Sequence, residues 1–200
     1  DSSLVSGDPI AQTSPSWNTW DELMNGATAP FIDDALVDVS RYYSPPNSLY
    51  IPATAAAGPE DIVLMFDPTL NITQANLSSL STPYVVGDFT FSQMMYVRSG
   101  GGAYFNFQAE NTPGVSWALE VTFDATGDKL MSNTSGTSFS AGFTHDVWFE
   151  IKFEIDLSNN DWEVFIDGVS MGSFANSINQ IASLDIYPRA IDEYWLVDVC

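Results

Sequence analysis

Seven side chains hold the clearest chemical potential in this 200-residue chain: Tyr96, Tyr104, Asn106, Gln108, Glu120, Trp148 and Glu150. Most fall at two-residue spacing within short alternating runs, so a strand would send them to one side together. If those runs are neighbouring strands, Arg98 and Lys152 share the same wet face. Flat aromatics beside amides and carboxylates suit a sugar, because rings stack on C–H faces while amides and acids bond hydroxyls in pairs. The competing reading is packing: aromatics also fill the rim of a sandwich, and Trp148 would then cover a sheet edge with no ligand.

Other chemistries find little support. His145 is the only histidine and Cys200 the only cysteine, short of any zinc set. A Ser-His-Asp triad would have to use His145, and no Gly-x-Ser-x-Gly elbow is present. Ser99-Gly100-Gly101-Gly102 lacks the helix and lysine of a phosphate loop. With 26 acidic residues against 5 basic ones, the net charge of −21 excludes nucleic-acid binding, which needs cations for phosphates. It also disfavours an anionic membrane, and no apolar run is long enough for membrane insertion.

These side chains need strands to hold them, and the strongest is in Asp146–Gly168. From Val147 to Leu157 the pattern alternates, with Val147, Phe149, Ile151, Phe153, Ile155 and Leu157 on one face and Trp148, Glu150, Lys152, Glu154 and Asp156 on the other. Ser158–Asp161 turns the chain, and Trp162, Val164 and Ile166 continue the oily face up to Asp167-Gly168. A hairpin with one oily face needs a second sheet to bury it. Phe31–Val39, Leu49–Ile51 and Ile62–Phe66 read as earlier strands, and Asp67–Pro83 as a long loop. Asp88–Arg98 and Ala103–Ala109 read as a hairpin closed by Ser99–Gly102, followed by a strand over Trp117–Asp124 with Trp117 on the oily side. Lys129–Phe143 has a weak strand signal, and Ile181–Tyr187 and Tyr194–Cys200 close the chain. Residues 1–15 read as an N-terminal arm or linker and 16–200 as one domain, an excised piece of a longer protein. Within it, Ser16–Gly26 is either a short helix or an irregular segment plugging one end of the sandwich with Trp17 and Trp20. The expected fold is an all-β, antiparallel two-sheet sandwich.

The segments SPPNSLYI (Ser44–Ile51), FTFSQMMYVRSGGGAYFNFQ (Phe89–Gln108), WALEVTFDATG (Trp117–Gly127), Asp146–Gly168 and the closing YWLVDV resemble the concanavalin A-like lectin/glucanase superfamily, which includes laminin-G-like modules. The resemblance spans most of residues 31–199. It implies a jelly roll, and its relatives are modules of large secreted or cell-surface bacterial proteins, especially type 9 secretion cargo. Glucanases of this superfamily carry Glu-x-Asp-x-x-Glu on one strand. Here Lys152 replaces the Asp after Glu150, and Asn159 replaces the last Glu after Glu154 and Asp156, so no enzyme activity is expected. The resemblance also implies one structural Ca²⁺ held by Asp198, with Asp33 or Asp34 alongside.

The leading functional reading is a non-catalytic carbohydrate-binding or adhesion module, with glycan or polysaccharide as partner, in a secreted or bacterial cell-surface protein. The alternatives are a structural spacer or assembly domain that contacts neighbouring surface-protein domains, and then a degenerate glycoside hydrolase or lyase. Asn71, Asn76 and Asn133 fit the glycosylation pattern at a frequency close to chance in a chain this rich in Asn, Ser and Thr.

Overall fold

The computed structural model describes residues 4–44, 46–53, 59–67, 83–133 and 136–200, with the backbone alone at 128–133 and 136–138. Most of the expected long loop at Asp67–Pro83 lies outside the described residues. So do Asn71 and Asn76 and the side chain of Asn133.

The strands in chain order are β1 (Trp17–Thr19), β2 (Leu36–Asp38), β3 (Ser48–Ile51), β4 (Ile62–Met65), β5 (Asp88–Val97), β6 (Ala103–Gln108), β7 (Trp117–Phe123) and β8 (Asp128–Asn133). They continue with β9 (Gly136–Gly142), β10 (Trp148–Asp156), β11 (Asp161–Ile166), β12 (Val169–Phe174), β13 (Ser183–Ile186) and β14 (Tyr194–Val197). Among the described residues helix is confined to α1 (Ile10–Thr13) and α2 (Trp20–Asn25). Sheet I runs β2-β3-β14-β5-β10-β11-β12 and sheet II runs β1-β4-β13-β6-β7-β8-β9, with every strand pair antiparallel. The molecule is a two-sheet jelly-roll β-sandwich.

The alternation read from β10 and β11 holds from Phe149 onward, whereas Val147, expected on the oily face, lies just before β10 and is 47% exposed. Phe149, Ile151, Phe153, Ile155, Leu157, Trp162, Val164 and Ile166 are all buried between the sheets. Their partners come from the inner side of sheet II. Phe107 meets Phe153 edge-on at 5.2 Å between ring centroids and Phe91 at 5.1 Å, the geometry that aromatic quadrupoles favour. Tyr194 of β14 donates its hydroxyl across the sandwich to the Tyr104 carbonyl at 2.7 Å, which satisfies a polar tip in an otherwise oily layer.

Several expectations change. The glycine-rich stretch after β5 is a crossing rather than a hairpin, because β5 lies in sheet I and β6 in sheet II. Gly102 has no room for a side chain there: a Cβ would lie 2.5 Å from the Phe123 carbonyl and 2.6 Å from Asp192 Oδ1. A tight hairpin and a tight crossing both call for glycine, so composition does not separate them. The first strand shortens to β2, and β12 forms where the pattern VSMGSF gave no strand signal. The stretch read as an arm is docked: Ile10 is buried in the core and its N–H bonds the Ala35 carbonyl, while Gly7 and Val37 bond across at 2.8 Å. Trp17 packs on the main core, but Trp20, on α2, joins a separate cluster with Leu23, Val63 and Met65 on the outside of sheet II. Thr19 caps α2 by accepting from Glu22 N–H at 3.1 Å, and Gly26, in the left-handed region, ends it.

Candidate functional site

Alternation decides what sheet II sends outward. On β6, Phe105 and Phe107 enter the core, so Tyr104, Asn106 and Gln108 face away from it. On β13, Leu184 and Ile186 go in, and Ser183 and Asp185 go out. Register then aligns the outward groups in rungs: Tyr104 beside Thr122, Asn106 between Asp185 and Glu120, and Gln108 between Ser183 and Trp117. A bulge between Phe107 and Gln108 places Ala118 in the core and turns Trp117 outward. The expectation that put Trp117 on the oily side is corrected by that one extra residue; Trp117 is 36% exposed.

The rungs are bonded. Asn106 Nδ2 donates to Asp185 Oδ2 at 2.8 Å, and Gln108 Nε2 donates to Asn106 Oδ1 at 2.5 Å. Gln108 Oε1 accepts from Gly114 N–H at 2.8 Å. Tyr104 donates to Glu120 Oε1 at 2.9 Å and packs against Tyr187, with ring centroids 4.7 Å apart. Arg189 covers the Tyr104 ring at 5.3 Å, forks onto Asp192 and reaches Thr122 Oγ1 at 3.2 Å. Burial, then the Tyr187 hydroxyl and the Glu120 charge, push the Tyr104 phenol far above its ordinary range. That hydroxyl stays a proton donor at any working pH.

Toward α2 the same face turns acidic and dry. Asp185 is 1% exposed. Asp33 Oδ1, Glu60 Oε2, Asp61 Oδ1, Ser183 Oγ and Asp185 Oδ1 are buried with no hydrogen-bond partner. Asp61 is raised by burial first and then by the charges of Asp185, Asp33 and Asp21. Burial also raises Asp185, against the donors Asn106 and Gln108 that favour its charged form.

The expected site residues divide between two opposite faces. Tyr104, Asn106, Gln108 and Glu120 share the outside of sheet II, whereas Tyr96, Trp148 and Glu150 lie on the outside of sheet I with Arg98 and Lys152. The single wet face is therefore corrected: the crossing after β5 carries the chain to the other sheet. Asn106 and Gln108 are 0% exposed and cannot read hydroxyls from solvent as the fold stands. Tyr96 is buried, and Trp148 is half-buried against Tyr96 and Tyr43. Glu150 borders a depression of about 530 Å³ with Tyr43, Met94, Asp167 and Asp198. The Glu150, Glu154 and Asp156 carboxylates stand on sheet I, where Lys152 pairs with Glu154 at 2.7 Å and Asp156 binds Asn159.

The carboxylates expected to hold Ca²⁺ do not fit a cage. Asp34 accepts from Ala11 N–H, Gln12 N–H and Gln12 Nε2, Asp33 accepts from Asp21 N–H at 2.8 Å, and Asp198 accepts from Ser44 Oγ at 2.5 Å. Among the described residues no three His, Cys, Asp or Glu side chains gather as metal ligands.

Sequence reasoning missed Asp61, Asp185, Tyr187 and Arg189. The signal was there for two of them: Asp185 interrupts the apolar run IASLDIY, and Asp61 stands directly before IVLMF. A charge set into a buried strand is the unusual observation.

No protein-family model matches the sequence, and no curated protein does. Among solved structures, a sialidase is similar at a TM-score of 0.60 with 9% identity, over 98% of this chain and 18% of its own. An alginate lyase from Corynebacterium sp. is similar at 0.57 with 11% identity, over 87% and 81% of the two chains. The carbohydrate recognition domain of Emp46p, in a potassium-bound form, is similar at 0.53 with 8% identity, over 97% and 94%. At such identities the likeness establishes the fold alone. The chain spans less than a fifth of the sialidase. Among the described residues no helix is long and apolar enough to cross a membrane.

Proposed function

We propose that this domain binds carbohydrate without catalysis, on the outside of sheet II, along the stripe Trp117, Glu120, Thr122 and Tyr187. The carrying observation is that two partly open rings flank a carboxylate already paired to a buried tyrosine hydroxyl. Trp117 offers a stacking surface, Glu120 accepts from sugar hydroxyls, and Tyr104 holds Glu120 in place. The likeness to a protein named as a carbohydrate recognition domain, across nearly the whole of both chains, supports the reading. The glucanase-like positions support the non-catalytic part: Glu150, Glu154 and Asp156 are on the opposite sheet, and Lys152 interrupts them. The reading carries with it a secreted or cell-surface setting, in which an acidic domain stays soluble.

A glycan array with the wild type, Trp117→Ala and Glu120→Ala tests it, with Trp148→Ala as the control on the other face. Binding lost in the first two variants and kept in the third is the expected result. A ligand lost with Trp148→Ala at unchanged stability would move the site to sheet I. No ligand for the wild type across the array would leave the spacer reading standing.

A further inference from the structure

Buried oxygens without partners on Asp33, Glu60, Asp61, Ser183 and Asp185 call for a source of hydrogen. Asp185 stands opposite Val63, Asp61 lies two residues before Val63, and the Oδ1 of each carboxyl is buried without a partner, so the two side chains meet as diagonal neighbours on one face. As two carboxylates both are acceptors, and neither can satisfy the other. With one proton between them the contact becomes an O–H···O⁻ bond, the strong charge-assisted kind. The partition is legible in the donors: Asp185 takes N–H groups from Asn106 and Gln108, so it is the carboxylate, and Asp61 holds the proton.

The pair lies where α2 is attached. The Asp61 carbonyl accepts from Trp20 N–H at 2.8 Å, and Asp33, bonded through its backbone to Asp61, accepts from Asp21 N–H of α2. Trp20 leans on Gly114, where a Cβ would lie 2.7 Å from the ring, and Gly114 N–H is the cap on Gln108. Asp33 and Asp21 act on the pair from the side of α2, Tyr187 at the end of β13 feels both of its members, and Glu120 of β7 stands beyond Asn106 from Asp185. The charges that act most strongly on Asp61 are those of Asp185, Asp33 and Asp21, so a second negative charge there meets repulsion.

We propose that Asp61 and Asp185 share one proton as a latch that fastens α2 over the outside of sheet II, and that losing the proton frees α2 and uncovers Gln108 and Asn106. The second half rests on the carbohydrate reading of that face; the latch itself does not. The direction follows from linkage. Asp61 titrates near 4 in the unfolded chain and is pushed up to about 9 in the folded one. The folded state therefore holds a proton the unfolded state lacks, and stability is full below the unfolded value and lost as pH rises through the folded one. Each retained proton lowers the folding constant up to about tenfold per pH unit across that window.

The test is hydrogen exchange by mass spectrometry on the full chain, following peptides over residues 17–26 from pH 5 to pH 9.5 as protection factors corrected for intrinsic rates. The wild type should lose protection over α2 toward the alkaline end while β10 and β11 stay protected. Asp61→Asn supplies a permanent N–H to Asp185 and should keep α2 protected throughout. Unchanged wild-type protection over the range would overturn the latch, as would the same alkaline loss in Asp61→Asn. Should Asp61→Asn not fold, the wild type at pH 9 with and without 5 mM CaCl₂ decides: protection restored by Ca²⁺ would mean that a cation, not a proton, closes the pair, and protection that stays lost supports the proton. An α2 that opens on schedule in a protein that binds no glycan would keep the latch and sink the carbohydrate reading.

Discussion

The outer faces of the two sheets are both partly covered, and they are covered differently. Over sheet I, Arg41 lies on Tyr96 and Trp195 at 4.4 and 4.9 Å from the ring centroids and donates to Tyr96 Oη. Trp195 stacks on Tyr50 and donates to Asp38 Oδ2 at 2.7 Å, while Tyr50 donates to Glu193. Each of these polar tips has a partner. On the sheet II side, by contrast, Asp33 and Asp61, which anchor the start of α2, and Asp185 each keep a buried carboxylate oxygen with no hydrogen-bond partner. A satisfied aromatic cover adds stability; an acidic floor that relies on one shared proton subtracts from it wherever an oxygen stays orphaned, at roughly 1–3 kcal/mol per group. The aromatic side is the structural one, and the side that carries the strain is the candidate for function.

The largest effect that could break this contrast is on sheet I. Trp195 is 5% exposed, so Trp195→Ala should cost about 3–5 kcal/mol, as large-to-small changes at buried aromatics do. For a domain of this size that lowers the melting temperature by on the order of 10 °C. Glycan affinity at a temperature where the variant is folded should hold. Calorimetry alongside titration checks both; a stable variant that has lost its ligand would reverse the roles of the two faces.

Next in size is Trp117→Ala on sheet II, with the opposite signature. Affinity should fall by about 1–3 kcal/mol, the range of a stacked hot-spot ring. Stability should move by no more than about 0.5 kcal/mol, because the ring is partly in solvent. Arg41→Ala follows at about 1–2 kcal/mol of stability, from a guanidinium shared between two faces of aromatic rings. Arg41→Lys should recover only part of it, since an ammonium cannot lie flat on a ring. Denaturant melts of the pair resolve this; full recovery by lysine would mean that charge alone matters there.

How much was legible differs between the layers of the argument. The core was written in the alternation of Phe149–Leu157, because burial of one face imposes a period of two on any strand, though the same pattern wrongly extended to Val147, which is exposed. The division of the site was not. Tyr96 and Tyr104 are eight residues apart, and whether the glycines between them reverse the chain within a sheet or carry it to the other depends on pairing with β13 and β14, far away in sequence. Trp117 was misplaced by a bulge that inserts one residue without a mark of its own. Asp61 and Asp185 were legible as charges beside apolar runs but not as a pair, since β4 and β13 meet only through register. Types and faces are local information; neighbours are not.

The smallest expected effect concerns calcium. A chain of net charge −21 gains some stability from any divalent cation, because counterions reduce repulsion among its carboxylates. A built site does more than screen: it selects Ca²⁺ over Mg²⁺, which demands shorter bonds and a stricter octahedron. Asp33, Asp34 and Asp198 accept from three different parts of the chain, and those donors would have to be given up to form a cage. Melting in Ca²⁺ and in Mg²⁺ at equal ionic strength should therefore give the same small rise, about 1 °C or less, the equivalent of a few tenths of a kcal/mol. A rise specific to Ca²⁺ and removed by Asp198→Asn would show that these carboxylates rearrange around the ion. It would also make the rim of sheet I, rather than the floor of sheet II, the place where this acidic chain takes up a ligand.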